Sequence, residues 1–209
     1  MVETNYEYYS TGGNTYYLST TTRKCGQSFT VGTIGANEAF TLTKAALQVW
    51  KTGTPGNVTI NLYAVDGSGF PTGAALSTGT LDTSGLGTSS PGTMTDVTMS
   101  SYVVSTSTKY ALVMENTSSG SVQWYCNDAG AYAGGTMLDN TGSWSNASGS
   151  PVVDAYFQIW GNPPVVTNMK INIGDVWKDV ATVQINIGDI WKDVTQVQVN
   201  IGDIWKTVF

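Results

Sequence analysis

The chain has 209 residues, of which 24 are glycine and only 11% are charged, and its formal net charge is −6. This composition, together with many Ser and Thr residues, is typical of an all-β protein with numerous turns. The absence of a basic stripe predicts that nucleic acid is not a partner, and the absence of histidine excludes Ser-His and Cys-His catalytic pairs.

The N-terminal sequence does not predict a secretory leader. Residues 1–7 lack a basic segment followed by an apolar one, and the chain has no apolar run of about 18 residues. We therefore expect synthesis in the cytoplasm and no membrane insertion. A reducing compartment favours free buried thiols at Cys25 and Cys126, although the two would pair if adjacent strands brought them together.

Residues 1–24 form a polar, tyrosine-rich segment that predicts an N-terminal arm outside the core. Tyrosine suits half-buried interfaces, where the apolar ring and the hydroxyl are both used. Two interpretations fit: an edge strand laid on the arm's own domain, or an arm exchanged between neighbouring subunits. The tyrosines are Tyr6, Tyr8, Tyr9, Tyr16 and Tyr17.

Residues 25–162 contain several runs of alternating apolar and polar residues, which predict one β-sandwich domain, jelly-roll-like, with about eight strands. Turn signals rich in Gly, Pro and Ser separate the runs, and residues 83–95 predict a long loop. Alternation predicts inward side chains at Leu47, Val49, Val58, Ile60, Leu62, Ala64, Ala155, Phe157 and Ile159. Further strands are predicted near 27–31, 96–99, 109–115 and 121–126.

Four segments of this domain carry a family resemblance. Gln27-Ser-Phe-Thr-Val31, Lys51-Thr-Gly-Thr-Pro-Gly56, Ile60-Asn-Leu-Tyr-Ala64 and Gly69-Phe-Pro-Thr-Gly73 resemble the choice-of-anchor β-sandwich modules of bacterial surface proteins. Those modules are similar to carbohydrate-binding jelly rolls. The resemblance implies the sandwich fold, and it transfers no catalytic residue because that family has none established.

Residues 163–168 begin with Pro163 and Pro164 and predict a short, extended linker, after which the composition changes. Residues 169–209 then repeat one unit three times with a period of 14, at Ile171–Lys178, Ile185–Lys192 and Val199–Lys206. Two heptads per unit would place Gly and Asn at core positions of a coiled coil. The abundance of Val and Ile therefore favours strands over helices.

Each repeat predicts one β-hairpin, because a Gly-Asp pair stands between two short β-branched runs. Pairing across the first turn predicts Ile173 opposite Val176 and Ile171 opposite Lys178. Return turns at equal spacing would join the hairpins into one meander of about six strands. The hairpin turns are Gly174-Asp175, Gly188-Asp189 and Gly202-Asp203, and the return turns are Ala181-Thr182 and Thr195-Gln196.

The predicted pleat gives the tail one apolar face, interrupted only by Lys178, Lys192 and Lys206. A thin meander cannot cover this face by itself, so the cover comes either from the first domain or from other copies of the tail. Three copies around an axis would form a trimeric β-prism, with the chain as its own partner. The predicted oligomerisation residues are Ile171, Ile173, Val176, Ile185, Ile187, Ile190, Val199, Ile201 and Ile204.

The repeated unit Ile-Asn-Ile-Gly-Asp-x-Trp-Lys resembles the C-terminal vNvGgxWk tails of bacteriophage structural proteins, tail fibres especially. The resemblance covers residues 169–209 and departs in having Asp where Gly is common in the turn. It implies a fibre, spike or decoration protein at the virion surface, with other virion proteins as partners and assembly rather than chemistry as its role. An extracellular location is the alternative.

The sequence shows no constellation typical of an enzyme, a metal site or a cofactor site. Its candidate carboxylates follow no spacing that singles out a pair, and most stand in predicted turns. The segment from Asp66 to Phe70 lacks the acidic alternation and final Glu of a calcium loop, and predicts a hairpin turn. The carboxylates are Asp66, Asp82, Asp96, Glu115, Asp128, Asp139 and Asp154.

An aromatic cluster in or near the Gly/Ser/Asn-rich stretch 118–150 is the candidate glycan site. Exposed aromatic rings stack on sugars while polar neighbours bind the hydroxyls; packing in the core or at a subunit interface is the alternative. Trp144 is the better candidate, because alternation with Val122 places Trp124 on the inner face. The cluster is Trp124, Tyr125, Tyr132 and Trp144, whereas the periodic Trp177, Trp191 and Trp205 predict a packing stripe.

Overall fold

The computed structural model describes residues 3–147 and 152–163 and, in the C-terminal region, 169–173, 176–180, 184–187, 190–194, 198–201 and 204–207. Every regular element in these ranges is a β-strand, so the predicted all-β class is confirmed. The chain forms two compact units, Met1–Pro163 and Pro164–Phe209. Among the described residues there is no helix with the length and apolarity needed to cross a membrane.

The described part of the first unit contains more strands than the eight or so expected, because the N-terminal segment and the stretch after residue 136 also form strands. The predicted long loop lies between the sixth and seventh strands, and its last three residues belong to the seventh. The strands are β1 (Thr4–Tyr9), β2 (Thr15–Ser19), β3 (Lys24–Thr30), β4 (Phe40–Thr52), β5 (Val58–Val65), β6 (Pro71–Leu81), β7 (Thr93–Val104), β8 (Lys109–Glu115), β9 (Ser121–Asn127), β10 (Met137–Asn140), β11 (Trp144–Asn146), β12 (Asp154–Ala155) and β13 (Phe157–Asn162).

These strands form one antiparallel sheet that curls into a half-barrel. Its main path runs β1-β13-β4-β7-β6-β5-β8-β3-β10-β11, and β9 pairs with β2, β4 and β12 beside this path. Phe29 of β3 and Phe157 of β13 are far apart along the path, yet their ring centroids lie 5.9 Å apart. The inner side chains therefore meet in one apolar core.

The predicted alternation is confirmed in the central strands. Val58, Ile60 and Leu62 are fully buried on β5, as are Leu47 and Val49 on β4. The inward positions predicted near the end of the unit are buried as well, at Ala155, Phe157 and Ile159. One position departs from the prediction, because a register shift between Leu62 and Ala64 leaves Ala64 only half-buried.

The prediction that the N-terminal segment lies outside the core is wrong, because Tyr6 and Tyr9 of β1 are buried in the core. β1 pairs with β13 of its own chain, as the edge-strand interpretation described. Tyr6 is 1% exposed and stacks on Phe40 with ring centroids 3.8 Å apart, and its hydroxyl donates to Glu38 Oε1 at 3.1 Å. A β-bulge between Asn5 and Glu7 interrupts the period of two, so that Tyr6 and Glu7 are both buried.

The second unit contains three two-stranded antiparallel sheets. The first ladder pairs Ile173 with Val176 and Ile171 with Lys178, which confirms the predicted register, and the other two ladders repeat it. The Gly-Asp turns and the return turns lie outside the described residues. The strands are β14 (Met169–Ile173), β15 (Val176–Val180), β16 (Gln184–Ile187), β17 (Ile190–Asp193), β18 (Gln198–Ile201) and β19 (Ile204–Thr207).

The continuous meander is a wrong prediction for the described residues, since no ladder there joins one hairpin to the next. A two-residue connection fixes the register within each hairpin. The equally spaced return turns predicted between the hairpins are not accompanied by ladders between successive hairpins in the described residues. A regular sequence period therefore specified the hairpins without specifying a single sheet.

We predict that Tyr6→Ala lowers the free energy of unfolding by about 3–5 kcal/mol, because it removes a fully buried ring and its stacking partner's contact. Tyr8→Ala on the same strand is the control: Tyr8 is 42% exposed, and its loss should cost about 0.5 kcal/mol or less. Urea denaturation of the full chain measures both. Equal effects would contradict the placement of β1.

Candidate functional site

Two of the four predicted aromatic residues are buried in the core. Trp124 on β9 is fully buried, and its indole Nε1 donates to the backbone oxygen of Tyr156 at 2.8 Å. Tyr132 is 4% exposed, and its hydroxyl donates to Glu7 Oε2 at 3.0 Å. Neither ring can present a face to a ligand, so the prediction that the four aromatic residues form one exposed cluster is wrong. For Trp124 and Tyr132, the alternative prediction of packing in the core is confirmed.

The environment of Tyr132 is a buried polar network rather than a reactive centre. Its backbone N–H donates to Asp154 Oδ2 at 3.0 Å, and the other oxygen of Asp154 accepts from Gln27 Nε2. Glu7 also accepts from the backbone N–H of Thr33 at 2.7 Å. Burial raises the pKa of Tyr132, and the Glu7 carboxylate adds to the rise. Burial likewise raises the pKa of Asp154. These bonds tie the β9–β10 connection to β1 and β3.

Trp144 lies elsewhere, on the outer face of the sheet. It stands opposite Asn140 in the β10–β11 hairpin and is half-buried. It packs on the outward side chains of β8 and β10, namely Ala111, Val113 and Leu138, and Tyr63, Val65 and Phe70 pack on the same three residues. We refer to Trp144, Tyr63, Val65 and Phe70 as the Trp144 patch. Of the four predicted residues, the structure brings only Trp144 to this patch.

Tyr125 belongs to a different outer face, formed by β2, β9 and β4. Alternation along β9 turns Val122, Trp124 and Cys126 inward, so Tyr125 and Gln123 point outward. The ladders place Tyr16 opposite Tyr125 and Trp50 opposite Gln123. We refer to Tyr16, Trp50, Gln123 and Tyr125 as the Tyr16 platform.

The aromatic rings of the Tyr16 platform touch one another edge to face. The ring centroids of Tyr16 and Trp50 are 5.2 Å apart at 71°, and those of Trp50 and Tyr125 are 6.3 Å apart at 63°. Tyr16 is 51% exposed, whereas Trp50 is 5% exposed. The hydroxyl of Tyr125 donates to the backbone oxygen of Gly13 at 2.6 Å. A Cβ atom on Gly13 would lie 2.2 Å from the Tyr125 ring, so glycine is needed there.

Gln123 supplies the polar group of the Tyr16 platform. Gln123 is 6% exposed, and its Nε2 donates to Thr52 Oγ1 and to Ser121 Oγ, both at 2.9 Å. Its carbonyl oxygen Oε1 has no hydrogen-bond partner. Buried polar groups of proteins are nearly always paired, so this one calls for an explanation.

The sequence analysis missed Tyr16, Trp50 and Gln123 as site residues. Tyr16 belongs to the segment predicted as an arm outside the core, and Trp50 directly follows Val49, which is predicted to point inward. The sequence feature that indicates outward residues is in β9, where polar and apolar residues alternate from Ser121 to Cys126. Only the pairing of β9 with both β2 and β4 brings the outward residues together.

The candidate carboxylates have structural partners. The side chain of Asp66 accepts from the backbone N–H groups of Ser68 and Phe70 at 2.8 and 3.0 Å, which confirms the predicted hairpin turn. Within the described residues, no three metal-ligating side chains are grouped together. Salt bridges join Arg23 to Asp139, Lys24 to Glu115 and Lys44 to Asp96.

The two cysteines are free and buried, which agrees with the interpretation favoured by the sequence. Burial raises the pKa of both Cys25 and Cys126. Since the thiolate is the reactive form, neither side chain is suited to nucleophilic chemistry at neutral pH.

Comparison with protein-family models finds no family that matches this chain, and comparison with curated proteins finds no matching sequence.

We predict that Trp124→Ala lowers the free energy of unfolding by about 3–5 kcal/mol, since it empties a fully buried site and removes one of the two hydrogen bonds to the backbone oxygen of Tyr156. Trp144→Ala should cost about 1–2 kcal/mol, because Trp144 is half-buried on the outer face. Urea denaturation followed by circular dichroism compares the two. A larger cost for Trp144→Ala would contradict the assignment of inner and outer faces.

Proposed function

We propose that the protein is a non-enzymatic structural component of a bacteriophage-like particle, such as a fibre, spike or decoration protein. In this proposal it assembles through its C-terminal repeats as a homo-oligomer and contacts other virion proteins at the particle surface. The curled sheet of the first unit serves as a jelly-roll-like sandwich module carried by that assembly. The resemblance of residues 169–209 to phage tail sequences supports the virion assignment.

The observation that carries the proposal is the identical register of the three tail ladders. Cross-strand partners lie on one face of a ladder, so each hairpin gathers its Ile and Val positions together. Two-stranded sheets are marginal in water on their own. Three hairpins with the same apolar face and, in the described residues, no ladder between them are suited to packing against other copies. Three copies around one axis would give a trimeric β-prism.

Light scattering coupled to size-exclusion chromatography tests this proposal. We expect the full chain to have three times the 22.2 kDa mass of one copy. Deleting residues 165–209 should leave a folded monomer, because the apolar faces are removed. If the truncated chain keeps the number of copies found in the full-length oligomer, the tail does not drive assembly.

A matched pair of substitutions tests the face itself. Ile187 and Asn186 are neighbours on β16 and occupy opposite faces of its ladder. Ile187→Lys should shift the oligomer toward monomer, because it places a charge in the apolar contact. Asn186→Lys carries the same charge on the other face and should keep the mass of the wild type. Equal dissociation by both variants would show that this face does not decide assembly.

A carbohydrate-binding or receptor-binding module is the second candidate function. It is favoured by the outward position of Trp144 among Tyr63, Val65 and Phe70, since exposed aromatic rings beside polar loops suit sugar recognition. A glycan array probed with the wild type and with Trp144→Ala tests it. We expect the substitution to remove the signal. Binding that persists in Trp144→Ala would exclude this residue as the contact.

A further inference from the structure

We propose that the Tyr16 platform binds a neutral pyranose ring of an oligosaccharide. The proposal shares its class of ligand, a carbohydrate, with the second candidate function, but it uses different residues. Its residues lie on β2, β4 and β9, whereas the Trp144 patch lies on β5, β11 and the β5–β6 turn. The two sites share no residue and can therefore be tested independently of each other.

The aromatic part of the platform offers a stacking surface fixed on a sheet. Tyr16 exposes about half of its surface and rests edge to face against Trp50. Tyr125 is held from below by the hydroxyl bond to Gly13 and by an edge-to-face contact with Tyr156, whose ring centroid is 5.0 Å away. Trp50 and Tyr125 are thus held in place before binding and lose little conformational freedom when a sugar stacks on them, whereas Tyr16 turns to admit the sugar.

The polar part is the unpaired end of the Gln123 amide. Its Nε2 donates hydrogen bonds to the hydroxyls of Thr52 and Ser121, while its Oε1 has no hydrogen-bond partner. Both of those partners are hydroxyls, which donate or accept, so turning the amide over would leave Nε2 unpaired instead. One end of the amide lacks a bond in either orientation. A sugar hydroxyl, which also donates or accepts, satisfies whichever end is free.

Tyr16 controls access to this amide. Tyr16 is on β2 and Trp50 is on β4, with β9 between them, so their contact passes over the outward face of β9. Gln123 stands on that face between Leu18 of β2 and Trp50 of β4, its two ladder partners, and is only 6% exposed. Rotation of the half-exposed Tyr16 side chain opens the amide to a ligand, and rotations of exposed side chains are fast.

The surroundings select a ligand without charge. The platform contains no carboxylate and no cation, and the ammonium group of the adjacent Lys51 is occupied by the backbone oxygens of Thr83 and Ser84 at 2.6 and 3.1 Å. An acidic sugar would have no counter-charge here. A β-linked glucose-type ring fits better, because its equatorial hydroxyls leave an apolar C–H face for stacking and a polar edge for Gln123.

Titration of the full chain with cellohexaose, followed by tryptophan fluorescence and by the NMR signals of the Gln123 side-chain NH₂ group, tests the proposal. We expect saturable binding and a shift of those signals, because Trp50 and Gln123 both contact the sugar. Tyr16→Ala should weaken binding by about tenfold or more, since it removes the stacking ring. Hexagalacturonic acid should not bind.

Two control variants separate this site from others. Tyr8→Ala removes a tyrosine on β1 that is 42% exposed, against 51% for Tyr16, and Trp144→Ala removes the tryptophan of the other patch. Both should bind cellohexaose like the wild type. The proposal is overturned if the wild type does not bind cellohexaose, if Tyr16→Ala binds as tightly as the wild type, or if hexagalacturonic acid binds equally well. Loss of binding in Trp144→Ala alone would assign the sugar to the Trp144 patch and overturn this site.

Discussion

The first unit depends on the strict alternation of side chains along β9. This strand pairs with β2, β4 and β12, so its inner and outer faces are each extended by neighbouring strands. Inward, Trp124 is fully buried and bonds to the backbone of Tyr156. Outward, Gln123 and Tyr125 are joined by Tyr16 of β2 and Trp50 of β4 in the Tyr16 platform. A shift of one residue would exchange the two faces, placing Gln123 in the core and Trp124 in water, so core packing also fixes the platform.

Sequence reasoning succeeded where one local rule decides the structure. Alternation predicted the inward residues of β4, β5 and β13, and the two-residue Gly-Asp connections predicted the register of the tail hairpins. It failed where a bulge or a distant contact overrides the local pattern. The bulge in β1 buries Tyr6 and Glu7 side by side, which no period of two reveals. The burial of Tyr132 depends on Glu7, which is far away in the sequence.

The candidate site shows the same division between local and non-local information. The outward position of Trp144 followed from its polar neighbours in the chain, and the structure places it on an outer face. The Tyr16 platform could not be predicted, because its four residues come from three strands that are separated in sequence. Composition identifies aromatic residues as candidates, but only strand pairing decides which of them share a face.

The proposed oligomer and the proposed sugar site are connected through the strength of ligand binding. A sugar stacked on a few aromatic rings buries little surface, so a single platform would bind weakly. An oligomer built by the tail repeats would display one platform per copy, and linked weak sites gain an avidity of about 10²–10⁴ when they engage a ligand together. Assembly would thus convert a weak contact into firm attachment to a glycan-coated surface.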